Sequence, residues 1–141
     1  ISDYAKKNNV KILIENNVLT KNTSKKFNKN PFLMSDYKDT KKIMEMCKGK
    51  VGLLVDVAHL KVSAKTLNFD PNKYLIKLNK FIKAYHLSDN NGLSDQNGNI
   101  KKNSWFWKNI KKDVDYFTLE LKDLRIINLK NQIKLVKQKL L

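Results

Sequence analysis

Gly52–Leu60, GLLVDVAHL, is an apolar run that stops on a carboxylate and meets a histidine three residues later. The run from Val51 to Asp56 has the length of a buried strand, and near-continuous apolarity is what a parallel strand covered by helices requires. Three more runs share the pattern: Val10 to Glu15, Phe81 to His86 and Tyr116 to Glu120. Each is rich in β-branched or aromatic residues and ends on a polar, chemically capable side chain. The clean in-and-out alternation of a half-exposed antiparallel strand is missing.

Helix signals separate the runs. Ser35 or Asp36 can cap a helix reaching about Cys47, with Gly49 as its stop. Asp70 and Pro71 form an N-cap and first-turn pair, and Tyr74, Leu75 and Leu78 give the following helix its apolar face. From Leu121 onward, Leu124, Ile127, Leu129, Ile133, Val136 and Leu140 predict a long terminal helix. Ser104 to Ile110 reads as a short helix, and Ile1 to Asn8 as a helical scrap. Strands alternating with helices imply a parallel sheet, with the longest irregular stretches at 16–34, 57–69 and 87–103. These follow the strands, where α/β proteins place their sites.

Residues two apart on a strand share a face. If Glu15, Asp56, His86 and Glu120 point one way, Leu13, Leu54, Ala84 and Thr118 form the layer below, and Lys11, Gly52, Ile82 and Tyr116 the next. Three carboxylates crowded at one rim repel each other and desolvate at a cost of several kcal/mol unless a cation or protons compensate. A divalent ion resolves that. Oxygen donors with one imidazole suit Mn²⁺, Mg²⁺, Co²⁺ or Zn²⁺, and the lack of thiolate donors argues against a structural zinc site.

Composition limits the alternatives. The chain has 141 residues, 41% of them apolar, enough for the core of one domain. No apolar stretch is long enough to span a bilayer and the first residues lack signal-peptide order, so a soluble cytoplasmic protein without a membrane partner is expected. The single Cys47 permits no internal disulfide, and Ile43 and Met46 beside it predict a buried, inert thiol. The net charge of +16 invites a nucleic-acid reading. Yet Arg125 is the only arginine, and the lysines are scattered among asparagines. A solvated basic surface accounts for that better than a nucleic-acid partner, which would favour the planar arginine fork.

The segments ILIEN at Glu15, GLLVDVAHL at Asp56 and His59, YHLSDNNG at His86 and TLEL at Glu120 together resemble the xylose-isomerase-like superfamily of sugar phosphate isomerases and epimerases. The resemblance spans essentially the whole chain. It implies that residues 1–141 form a single domain, the carboxyl-terminal half of a (β/α)8 TIM barrel comprising strands five to eight, with Glu15, Asp56, His86 and Glu120 holding one divalent metal ion. It implies that Glu15 and Glu120 also act as the acid and base pair on a sugar, sugar phosphate or related polyol, through an enediolate. His59 would hydrogen-bond substrate or orient the site, and Asp89 and Asp95 are further candidate substrate contacts. Four strands leave two sheet edges bare, so pairing with an amino-terminal half, or self-association, is expected.

Two other readings stand beside it. The superfamily includes zinc endonucleases acting at abasic DNA sites, whose pattern carries an Asp-x-His where this chain has Asp95, Gln96 and Asn97. A non-catalytic basic binding protein on the same fold is the third. Taken singly, Glu15 or Asp56 reads as a strand-end cap, His59 as a carbonyl cap, His86 as a satisfied core histidine and Asp95 as a turn former. Asp89 reads as a shaper of its loop, and Trp105 and Trp107 as packing rather than sugar stacking. The coincidence of four polar residues at four strand ends changes that balance.

Overall fold

Each apolar run becomes a strand and each capped segment a helix. The computed structural model describes residues 1–140. In chain order they form α1 (Ser2–Lys7), β1 (Leu13–Glu15), α2 (Lys21–Phe27), α3 (Tyr37–Met46), β2 (Gly52–Asp56), α4 (Val57–Leu67), α5 (Pro71–Leu78), β3 (Ile82–Leu87), β4 (Tyr116–Leu119) and α6 (Ile126–Leu140). Short 3-10 turns occupy Asn79–Phe81 and Trp105–Lys108. The strands lie in the order β1-β2-β3-β4, and every pairing is parallel. Among the described residues no helix is long and apolar enough to cross a membrane.

The barrel expectation is corrected here. The chain forms a small α/β domain on an open four-stranded sheet, with β1 and β4 as its edges. A filled closed barrel takes about eight strands, and β1 contributes only three residues to pairing. Ile14, Leu53, Val55, Tyr85, Leu87, Phe117 and Leu119 face the helices and meet Met44, Leu60, Leu75, Leu78 and Phe106 in the core. Tyr85 and Phe117 stack on neighbouring strands with centroids 5.6 Å apart.

Register refines the expected layers. Leu53 pairs with Ile82 but Leu54 with Ala84, so Lys83 is a bulge residue. The bulge turns Ile82, fully buried, into the helix-side core and away from the face that carries His86. Asp56, His86 and Thr118 are level with one another, whereas Glu15 is level with Leu54, Ala84 and Tyr116. Glu120 lies just past β4, its N–H donating to Leu87 O at 3.1 Å. The predicted flat ring is therefore a stagger that climbs from Glu15 to Glu120.

The caps form as the sequence predicts. Asp36 accepts from Asp39 N at 2.9 Å and Asp70 from Asn72 N at 2.8 Å, each satisfying an N–H that has no partner within its helix. Residues 57–69, expected to be irregular, instead contain α4. Its Val57, Ala58, Leu60, Val62, Ser63 and Ala64 are all buried, which leaves only the narrow Lys61 and Lys65 row to mark the helical period. Segment 16–34 contains α2, and the terminal helix begins at Ile126 rather than Leu121. Cys47 is half-buried rather than enclosed.

Gly52 is a close-approach position: a Cβ there would stand 2.6 Å from both Leu13 Cδ2 and Lys83 Cγ. Gly52→Ala is expected to destabilise the domain by roughly 1 to 3 kcal/mol through overpacking, as read from urea unfolding at constant m-value.

Candidate metal centre

The acidic residues gather where β1, β2 and β3 end. Asp56 is at once the last residue of β2 and the N-cap of α4, its Oδ1 accepting from His59 N at 2.7 Å. That fixes the carboxylate in one orientation and leaves Oδ2 free. Asn16, directly after Glu15, clasps the backbone of the same residue: Asp56 N donates to Asn16 Oδ1 at 2.8 Å, and Asn16 Nδ2 donates to Asp56 O at 3.2 Å. Ser63, two turns along α4, receives Leu19 N at 2.9 Å and donates to Asn17 O at 3.1 Å. The loop after β1 is thus fastened to α4 at both ends of the site. Asn16 and Ser63 were not singled out by sequence reasoning; Ser63 stands polar between Val62 and Ala64, whereas Asn16, between Glu15 and Asn17, carries no signal of its own.

Donor atoms of Glu15, Asp56 and His86 all lie within 4.8 Å of one another. Asp56 Oδ2 and His86 Nδ1 are buried and lack any hydrogen-bond partner. Glu120 Oε2 lies 3.0 Å from that same Nδ1 but outside hydrogen-bond alignment, and Glu15 Oε2 is 3.8 Å from it. Buried polar atoms without partners cost roughly 1 to 3 kcal/mol each, more for charged groups. Two such atoms beside two further carboxylates fit a cation shared between them. Of the four expected ligands, three converge tightly and Glu120 joins them through its contact with His86.

Electrostatics agree with that reading. Burial pushes Asp56 up to about 6, with the Glu120 and Glu15 charges adding to the rise and the His59 charge and N–H opposing it. Glu15 is held below the usual carboxylate range, chiefly by its contact with His59. Burial alone would lower His59, but Glu15, Asp56, the Asn16 carbonyl and Asp95 outweigh it and raise the imidazole to about 9. His59 Nδ1 lies 3.1 Å from Asn16 O and 3.2 Å from Glu15 Oε1, while Nε2 lies 3.1 Å from Asp95 Oδ2. A cationic His59 is then the local counter-charge when no metal is bound.

A pH dependence follows with a definite sign. A base whose folded pKa exceeds its unfolded value of 6.5 stabilises the fold fully below pH 6.5 and loses that contribution as pH rises through about 9. Urea titrations of metal-free protein should show His59-dependent stability falling between those pH values, with a shallower decline in His59→Gln.

The two remaining candidates separate. Asp95 reaches His59 from the loop after β3, so it sits at the site. Asp89 is turned inward. It accepts from Lys61 Nζ at 2.6 Å, Ser104 Oγ at 2.7 Å and Asn90 N at 2.8 Å, and its backbone exchanges two hydrogen bonds with Gly98. Both of its carboxylate oxygens are engaged, so it braces the loop that presents Asp95. Asn97, where the nuclease pattern has a histidine, accepts from Ser88 Oγ at 3.4 Å in a left-handed turn. Trp105 and Trp107 flank Phe106 at the core's edge, well packed, with Trp107 Nε1 donating to Lys101 O at 2.8 Å. A cavity of about 640 Å³ lies at the opposite, amino-terminal end of the strands, lined by Lys11, Lys50 and Lys83 with Asp3 and Asp115, away from Glu15, Asp56 and His86.

No family model and no curated protein matches the sequence. The domain is similar to a solved structure of the TTHB071 protein from Thermus thermophilus, whose crystals were soaked with ZnCl2, with a TM-score of 0.62 and 19% identity. The match covers 97% of this chain and 49% of that one, so the chain spans about half the length of that protein. At this identity the likeness shows a shared fold, and the assignment of chemistry rests on the residues themselves.

Proposed function

We propose that the domain supplies the cation-binding half of the active site of a metal-dependent isomerase or epimerase acting on a sugar, sugar phosphate or related polyol. The observation that carries this is the convergence of Glu15, Asp56 and His86, with two buried donor atoms lacking partners. Mn²⁺, Mg²⁺, Co²⁺ and Zn²⁺ all accept this donor set. Such an ion polarises a carbonyl and stabilises the negative charge that develops when the neighbouring carbon loses its proton.

The protein groups divide the remaining work. Asp56, fixed by His59 N, and His86 hold the cation in place. Glu15, kept ionised by His59, is fit to take a proton from carbon. Glu120, half-exposed on the other side of His86, is placed to return one. His59, carrying a proton, orients the site, holding Glu15 and the Asn16 carbonyl through Nδ1 and Asp95 through Nε2. A cytoplasmic setting belongs to the proposal, in keeping with a single cysteine and no disulfide framework.

Carbon–hydrogen exchange is the direct test. Ketoses, aldoses and their phosphates incubated in D₂O with the protein and Mn²⁺ or Zn²⁺ should gain deuterium beside the carbonyl, read by proton NMR on metal-stripped product. Absence of exchange across the panel, in protein that demonstrably binds metal, contradicts an enediolate route. Cleavage of an abasic oligonucleotide in its place would favour the hydrolytic reading.

A further inference from the structure

The Asn16 side chain takes the place of its own peptide in the sheet. Gly52 N donates to Ile12 O at 2.9 Å, and the parallel ladder between β1 and β2, continued two residues at a time, would bring Asp56 N to the Asn16 carbonyl. Asp56 N donates instead to Asn16 Oδ1 at 2.8 Å, and Asn16 Nδ2 donates to Asp56 O at 3.2 Å. The carbonyl so released lies 3.1 Å from His59 Nδ1, the nitrogen that also stands 3.2 Å from Glu15 Oε1.

Two consequences reach the metal centre. Glu15 pairs with Leu54, two residues short of Asp56, a lag of about 6.6 Å along the strand. Donor atoms of Glu15, Asp56 and His86 nevertheless fall within 4.8 Å of one another, so the end of β1 has to be held firmly against the end of β2. The Asn16 amide does this from a position only 2% exposed. It also frees a backbone carbonyl that faces the imidazole beside Glu15. The residue type is specific: an amide both donates and accepts, whereas aspartate would set a second acceptor against Asp56 O, and leucine of the same size would make neither bond.

We infer that Asn16 is a positioning residue of the metal centre, its side-chain amide setting the spacing of the Glu15 and Asp56 carboxylates and freeing the carbonyl that orients His59. The inference rests on the metal reading above. Co²⁺ is the probe, because its visible absorption follows the number and geometry of its donors. Calorimetric titration and visible spectra compare the native chain with Asn16→Ala and with Thr40→Val. Thr40, fully buried in α3, donates to Asp36 O at 2.6 Å and accepts from Tyr74 Oη at 3.1 Å, away from the strand ends.

Each substitution removes a pair of buried hydrogen bonds, so both should lower the metal-free melting temperature. Only Asn16→Ala should also weaken Co²⁺ binding, by about ten- to a hundredfold, the usual cost of losing a group that orients a ligand, and alter the spectrum of the bound ion. Asn16→Ser, which disturbs packing less, should show the same two changes in smaller measure and serves if Asn16→Ala does not fold. Native affinity with an unaltered spectrum in the folded Asn16 variants overturns the inference and leaves the metal reading standing. An equal loss of affinity in Thr40→Val also overturns it, by tracing the effect to stability alone. A native chain that takes up no Co²⁺ overturns the metal reading, and this inference with it.

Discussion

Asp56→Asn is expected to change metal binding and metal-free stability in opposite directions. The amide keeps an oxygen that can accept from His59 N, so the α4 cap survives, but it removes the charge facing Glu15 and His86. Divalent-cation affinity should fall at least about a hundredfold, close to 2.8 kcal/mol at 1.4 kcal/mol per tenfold. The metal-free protein should become more stable at pH 7.5. Asp56 has a folded pKa of about 6 against an ordinary 3.8, so below pH 3.8 it is protonated in both states and costs nothing. Between those values the unfolded chain has released a proton that the folded one retains, and stability falls as pH rises; above about 6 the full cost of the buried charge is present. Asparagine removes that cost. Thermal melts with and without Mn²⁺ check both halves: a higher metal-free Tm and a lost metal-induced rise. An Asp56 that served the fold alone would give a lower Tm and an unchanged response to metal.

Glu120→Gln should remove turnover while sparing the fold. Glu120 lies beyond β4 with its side chain 43% exposed, so the neutral isostere disturbs no packing. If it returns the proton, kcat should fall about 10²- to 10⁴-fold, the usual contribution of a positioned acid or base. Metal affinity separates its two assignments. A change of less than about tenfold marks an acid–base group beside the centre, whereas a loss matching that of Asp56→Asn marks a ligand. Activity retained in Glu120→Gln would remove Glu120 from the chemistry altogether.

The strand ends were legible in the sequence because each apolar run stops on its chemical group. The helix caps at Asp36 and Asp70 were legible for a local reason: an oxygen side chain stands just before a helical stretch. Three things were not. Helix α4 is buried nearly all round, so its period is hidden, and Asp56 ends one element while beginning the next. The Lys83 bulge shifts Ile82 to the other face, and no residue type announces a bulge there. The TIM-barrel expectation is the third, because a motif at a strand end fixes direction and order but not whether a sheet closes, and the strands of this chain form an open sheet. Asp89 shows the same limit at the site. Its position after His86 suggested substrate contact, yet Lys61 and Ser104, distant in sequence, take up its oxygens.

The central claim is that Glu15, Asp56 and His86 share one cation. Crystals grown with Mn²⁺ and measured at a wavelength where manganese scatters anomalously test it most directly. The account predicts one anomalous peak about 2.0 to 2.4 Å from Asp56 Oδ2 and His86 Nδ1 and from a Glu15 carboxylate oxygen, bonding distances for oxygen and nitrogen donors. A peak elsewhere, or none at millimolar Mn²⁺ with the three side chains unmoved, contradicts it.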